Sequence, residues 1–175
     1  MSTELPILYI SLLLAILAAA AFFILRQVLK TGKVEKSLNQ LQSKLSEQKG
    51  TAQEYFELGS IYLNKRVYAQ AINLFQKALK SDDLPEMESA LVYNALGFAY
   101  FSQEQYDLAI RNYKEALKID ETYVTALNNL GHAYERKQLT TQALEVYQQV
   151  LAIEPQNQTA KRRAESLQKR VVPTA

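Results

Sequence analysis

The chain has 175 residues and a near balance of 20 basic against 18 acidic side chains, leaving a formal net charge of +2. That is too little for a nucleic-acid binder, which needs a concentrated basic face. With no cysteine and one histidine, His132, there are no residues for disulfides, thiolate chemistry, Cys-ligated or His-paired metal sites, or a Ser-His-Asp arrangement. Three of the five glycines belong to a repeated motif and the other two, Gly32 and Gly50, stand apart, so no glycine-rich phosphate loop can be built. The expectation is a protein that is not an enzyme, with no catalytic, cofactor or metal site and no small-molecule substrate.

The first element is an apolar helix. Residues 5–25, LPILYISLLLAILAAAAFFIL, carry no charge, and about 20 residues suffice to cross a hydrocarbon core of about 30 Å. Pro6 falls in the first turn, where its missing N–H costs little, and Tyr9 suits the headgroup level. A cleaved secretory signal is the alternative, with Ala18-Ala19-Ala20 as a small-residue site. A signal peptide wants positive charge before the apolar run, however, and only Glu4 precedes this one. The apolar run also continues past the alanines through Phe22-Phe23-Ile24-Leu25. Residues 1–30 therefore read as a retained single-pass anchor with a basic flank. Arg26, Lys30, Lys33 and Lys36 place everything after the anchor on the cytoplasmic side, or its stromal equivalent in a plastid, with the N-terminus opposite. On that side the sequon Asn157-Gln158-Thr159 has no meaning.

Residues 31–50 form a linker. Val34, Leu38, Leu41 and Leu45 make one apolar stripe on a short helix, with Gly32 and Gly50 as expected breaks. A dimerising seam is one reading. With fewer than two heptads, the preferred one is a stalk laying its stripe on the first repeat.

Residues 51–155 hold three copies of one pattern. Tyr55-x-x-Leu58-Gly59-x-x-Tyr62, Tyr93-x-x-Leu96-Gly97-x-x-Tyr100 and Leu127-x-x-Leu130-Gly131-x-x-Tyr134 are each followed by Ala71-x-x-x-Phe75, Ala109-x-x-x-Tyr113 or Ala143-x-x-x-Tyr147. This resembles the tetratricopeptide repeat (TPR), a helix-turn-helix of about 34 residues that stacks into a solenoid. Counted from Ala52, Ala90 and Val124, the repeats span 52–85, 90–123 and 124–157. Gly59, Gly97 and Gly131 at position eight let paired helices approach, and Ala71, Ala109 and Ala143 at position twenty are small for the same reason. The bulky position twenty-four is then free to pack against the neighbouring pair.

Repeats one and two start 38 residues apart and repeats two and three 34 apart, so repeat two should open with a helix one turn longer. Asp82 or Asp83 is its expected cap, ahead of Pro85 and Glu86. Arg66, Glu104 and Gln138 replace the glycine usual in the intrahelical turn, suggesting continuous or tight turns there. Pro155 stops the last repeat. Residues 156–175 then supply a capping helix and tail, its stripe being Ala160, Ala164, Leu167 and Val171. The other faces of that helix are basic, through Lys161, Arg162, Arg163, Lys169 and Arg170, with Glu165 the one acid. Contact with anionic lipid or an acidic partner is one reading, a solvated terminal helix the other.

In a TPR stack the first helix of each pair lines the concave face at positions two, five, nine, twelve and thirteen. Here these are Gln53, Phe56, Ser60, Leu63 and Asn64, then Leu91, Asn94, Phe98, Phe101 and Ser102, then Thr125, Asn128, His132, Glu135 and Arg136. Phe98 and Phe101 are the candidate anchors for an extended or helical protein segment, unless they pack on a neighbouring helix. Asn94 and Asn128 are candidate ligands for a peptide backbone. No basic clamp for a C-terminal carboxylate occupies Phe56, Ser60, Asn94, Thr125 or Asn129, which argues against a chaperone-tail adaptor. The fold class expected is all-α: a TPR solenoid of three helix pairs and a capping helix behind one transmembrane helix.

The layout resembles a family of photosystem I assembly factors of cyanobacteria and plastids, chiefly in LPILYISLLL, in FFILRQVLKTGKVEKSLNQLQSKL and in GTAQEYFELGSIYL with AINLFQKALK. The resemblance implies a non-enzymatic scaffold at the thylakoid, holding photosystem I subunits or assembly intermediates. A general membrane-tethered TPR adaptor for secretion, envelope or cytochrome maturation machinery is the alternative.

Overall fold

The computed structural model describes residues 4–171, and all regular structure among them is helical. Two compact units result, Met1–Glu47 and Gln48–Ala175. The first unit is one helix, α1 (Glu4–Glu47), whose 44 residues correspond to roughly 66 Å. Its apolar side chains from Ile7 to Leu25 are exposed all round, and the helix is long and apolar enough to cross a membrane. The break expected at Gly32 does not occur: Gly32 is helical. A helical glycine costs only about 1 kcal/mol relative to alanine, too little to interrupt a helix this long. The division at residue 30 thus falls inside α1, and Gly50 lies just beyond its end.

The second unit is built from three helix pairs and a final helix. They are α2 (Ala52–Asn64) with α3 (Tyr68–Leu79), α4 (Glu86–Ser102) with α5 (Tyr106–Ile119), α6 (Val124–Arg136) with α7 (Thr140–Ile153), and α8 (Gln158–Val171). Each helix packs on the next, and α4 also touches α2 and α6. Thr51 opens α2 with a capping box. Its hydroxyl accepts from the Glu54 N–H at 3.2 Å, and the Glu54 carboxylate accepts from the Thr51 N–H at 3.1 Å. As the spacing predicts, α4 has 17 residues against 13 in α2 and α6.

Its cap is different from the expected one. Pro85 occupies the cap position without a side-chain bond, and the Asp83 carboxylate instead accepts from the Ala52 N–H at 3.1 and 3.2 Å. The residues inserted between repeats one and two thus tie back to the start of α2. Glu86 and Glu88 in the first turn of α4 complement the helix dipole there.

The turns within the pairs are tight, one of the two forms expected from the sequence. Arg66, Glu104 and Gln138 have φ of 62°, 61° and 59°, the left-handed conformation that glycine favours. The next residue in each case, Val67, Gln105 or Leu139, donates its N–H to the Tyr62, Tyr100 or Tyr134 carbonyl at 2.9–3.0 Å. This is the Schellman closure, which satisfies carbonyls the ending helix leaves free. Losing glycine has not changed the turn; it has left a strained residue in it.

The glycine at position eight holds the aromatic of its own repeat. A Cβ on Gly59 would sit 2.7 Å from the Phe75 ring, on Gly97 2.7 Å from Tyr113, and on Gly131 2.8 Å from Tyr147. Position twenty-four therefore fills the space over its own glycine, and Phe75, Tyr113 and Tyr147 are among the largest fully buried side chains. Ala160, Ala164 and Leu167 bury the capping stripe against α7; the Val171 side chain lies outside the described residues.

Candidate partner-binding groove

α4 contacts both α2 and α6, so the first helices of the three pairs share one face, the side that lines the concave surface in a TPR stack. Its sequence-predicted residues fall into two groups. Leu91 and Phe98 stand open on α4, 47% and 43% exposed. Phe56 and Leu63 are half-buried, and Phe56 lies against Phe75 with ring centres 5.7 Å apart. Phe56, Glu88 and Leu91 border a cleft of about 30 Å³ between α2 and α4.

Phe101 has a different fate from Phe98. It meets Tyr106 edge-on at 5.4 Å and His132 at 5.0 Å, and it packs against the buried core of repeats two and three. Of the two rings, one faces the groove and one braces the joint between repeats. Three residues apart on a helix means about 60° of rotation, enough to move a ring from the surface to the seam.

The two asparagines are mostly engaged within the protein. Asn94 donates to the Tyr123 hydroxyl at 3.3 Å and accepts from the Asn129 amide at 2.9 Å, a bridge between repeats two and three. Asn128 donates to the Val124 carbonyl of its own helix at 3.1 Å, while its buried Oδ1 has no partner. Sequence reasoning gave Tyr123 no part in this face and named Asn129 there only as a position without a basic side chain.

Glu135 is half-buried and accepts twice, from the Tyr147 hydroxyl at 2.7 Å and from Arg163 of α8 at 3.2 Å. His132 is exposed to the groove on one side and stacked on Phe101 on the other. Burial and the Arg163 guanidinium hold the imidazole below its ordinary value, with Arg136 adding to the effect and Glu135 opposing it. Burial likewise raises the Tyr113 and Tyr147 phenols and, less strongly, Tyr123. Among the described residues no cluster of His, Asp or Glu could hold a metal ion. What the face offers is an apolar and amide surface, suited to contact with another chain.

The fold and this face define a tetratricopeptide-repeat solenoid, a protein-interaction scaffold, carrying an N-terminal helix apolar enough to span a membrane. Family profiles agree: a TPR repeat matches residues 97–138, and the tetratricopeptide repeat matches 55–86 and 126–161. The crystal structure of MamA shares the fold, with a TM-score of 0.74 at 21% identity over 81% of each chain.

The chain is 36% identical over 93% of its length to the chloroplast TPR protein PYG7 of Arabidopsis thaliana, of which it spans 54%. It is 35% identical to the ycf37 protein of Cyanophora paradoxa, over 89% of this chain and 90% of that one. The chain belongs to the ycf37 and PYG7 family of plastid-type TPR proteins.

Proposed function

We propose that this protein is a single-pass thylakoid scaffold whose concave face holds photosystem I subunits or assembly intermediates, with no chemistry of its own. The observation that carries protein binding is the open pair Leu91 and Phe98 on α4, apolar side chains left uncovered inside a curved face. The membrane tether is supported by the uncharged exposed run of α1. Its orientation, N-terminus lumenal and repeats stromal or cytoplasmic, follows from the basic residues after that run. The photosystem I role rests on the resemblance in the anchor and the first repeat, and plastid relatives support the compartment.

The test is gentle solubilisation of native membranes, affinity capture through a C-terminal tag, and mass spectrometry. Photosystem I subunits enriched over photosystem II are expected. Reproducible capture of a different complex would keep the scaffold and overturn the photosystem assignment.

A further inference from the structure

The register of α8 gives it a role beyond capping. Gln158 lies 34 residues after Val124, so the repeat positions run on without a gap. Positions three, seven and ten are buried in α6 as Ala126, Leu130 and Ala133, and in α8 as Ala160, Ala164 and Leu167. Position six also bonds laterally in both helices, though to different positions of the neighbour: Asn129 of α6 bonds Asn94, position five of α4, and Arg163 of α8 bonds Glu135, position twelve of α6. α8 therefore continues the register of the first helices and is tied to α6 by that bond.

The groove positions of α8 are then Thr159, Arg162, Ser166, Lys169 and Arg170, all exposed. Three of these five are cations, and Arg162, Lys169 and Arg170 make no ion pair among the described residues. Their neighbours Arg163 and Arg136 do, with Glu135 and Glu104. The helix dipole favours Lys169 and Arg170 in the last turn, but not Arg162 two turns earlier. At the other end of the face, the groove positions of α2 and α4 carry no charge at all. There the extra turn of α4 adds Met87, 66% exposed, to the stripe of Leu91 and Phe98.

Resting on the groove reading above, we infer that α8 is a fourth, cationic wall of the groove. The partner is a protein segment with apolar side chains over α4 and carboxylates over α8. Two steps of about 10 Å between packed helices separate these walls. An extended segment covers that distance in about six residues. A bilayer is the less suited surface, because the apolar stripe of α8 is consumed by packing on α7 and cannot insert.

The test uses the full chain in nanodiscs of neutral phosphatidylcholine, panned against a displayed library of random dodecapeptides. Selected sequences should pair Phe, Leu or Ile with Asp or Glu about six residues away. A synthetic copy of the leading sequence should lose about tenfold or more in affinity to the triple variant R162Q/K169Q/R170Q, and as much when its acids become amides. Because these side chains are exposed, the variant should keep its thermal melt.

Peptides without acids, or binding indifferent to the triple variant, would overturn the fourth wall and leave the groove standing. Binding that survives Leu91→Ser with Phe98→Ser, yet is lost in the triple variant, would sink the groove reading itself. If no peptide is selected the inference fails. Vesicles of mixed phosphatidylglycerol and phosphatidylcholine that bind only the parent chain would then assign the cations to lipid.

Discussion

Repeats two and three share a register and differ in one buried phenol. In repeat three, Tyr147 lies over Gly131 and donates a hydrogen bond to Glu135 at position twelve. In repeat two, Tyr113 lies over Gly97 in the same way, but position twelve is Phe101 and the hydroxyl is buried without a partner. Repeat one avoids the question, since its ring is Phe75 and its position twelve Leu63. The packing of ring on glycine is therefore common to all three, while the polar contact was added in one repeat and is missing in another. Shape sets the solenoid; hydrogen bonds decorate it.

The largest effect should come from attacking the shared part. Gly97→Leu and Gly131→Leu place side chains into occupied ring space and should each cost about 1–3 kcal/mol as overpacking. Denaturant unfolding of the parent and both variants checks this. Similar losses sharpen the comparison, and an unchanged melt for either breaks it.

The unshared part comes next. Glu135→Ala strands the Tyr147 hydroxyl and Arg163 together, at a cost of about 1–3 kcal/mol. Tyr113→Phe removes a polar atom that has no partner and should be neutral or stabilising by up to about 1 kcal/mol. Tyr113→Phe destabilising the protein by as much as Glu135→Ala would mean the two repeats are not different after all.

Smaller gains should follow at the turns, where all three repeats agree again. Glycine at Arg66, Glu104 or Gln138 relieves a left-handed residue and should stabilise by about 0.5–1 kcal/mol each, after the extra entropy of the unfolded chain. Thermal melts of the single and triple variants measure it.

The smallest effect is pH dependence at His132, the one histidine, which gives a single imidazole resonance to follow. Its titration midpoint in the folded protein should lie below the ordinary value of about 6.5. Between the two midpoints the unfolded chain binds the proton more readily, so this contribution to stability is complete above the unfolded value and is lost as pH falls through the folded one. Glu135→Gln removes the opposing charge and should move the midpoint lower still.

The solenoid was legible because its motif is local and thrice repeated, and the long α4 was legible from a spacing of 38 against 34. What escaped depends on partners distant in sequence. Asp83 is adjacent to α4 in sequence and was read as its cap, but the fold brings it to Ala52, 31 residues away. Asn94 looked free for a peptide because its partners Tyr123 and Asn129 lie 29 and 35 residues further along the chain. Phe98 and Phe101 shared one label, and only the arrival of His132 and Tyr106 separates them. That the tight turns at Arg66, Glu104 and Gln138 keep a left-handed residue was not legible, because glycine signals one while its absence does not forbid one.

The central claim, that the concave face is where this protein meets its partner, has a direct measurement. A photo-crosslinking amino acid is placed at Phe98 on the concave face, or at exposed Arg111 on α5, and the full chain is irradiated in native membranes. Crosslinks to a photosystem I subunit from position 98 and none from position 111 are predicted. Crosslinks from position 111 alone would move the binding surface to the other side of the solenoid and contradict the account.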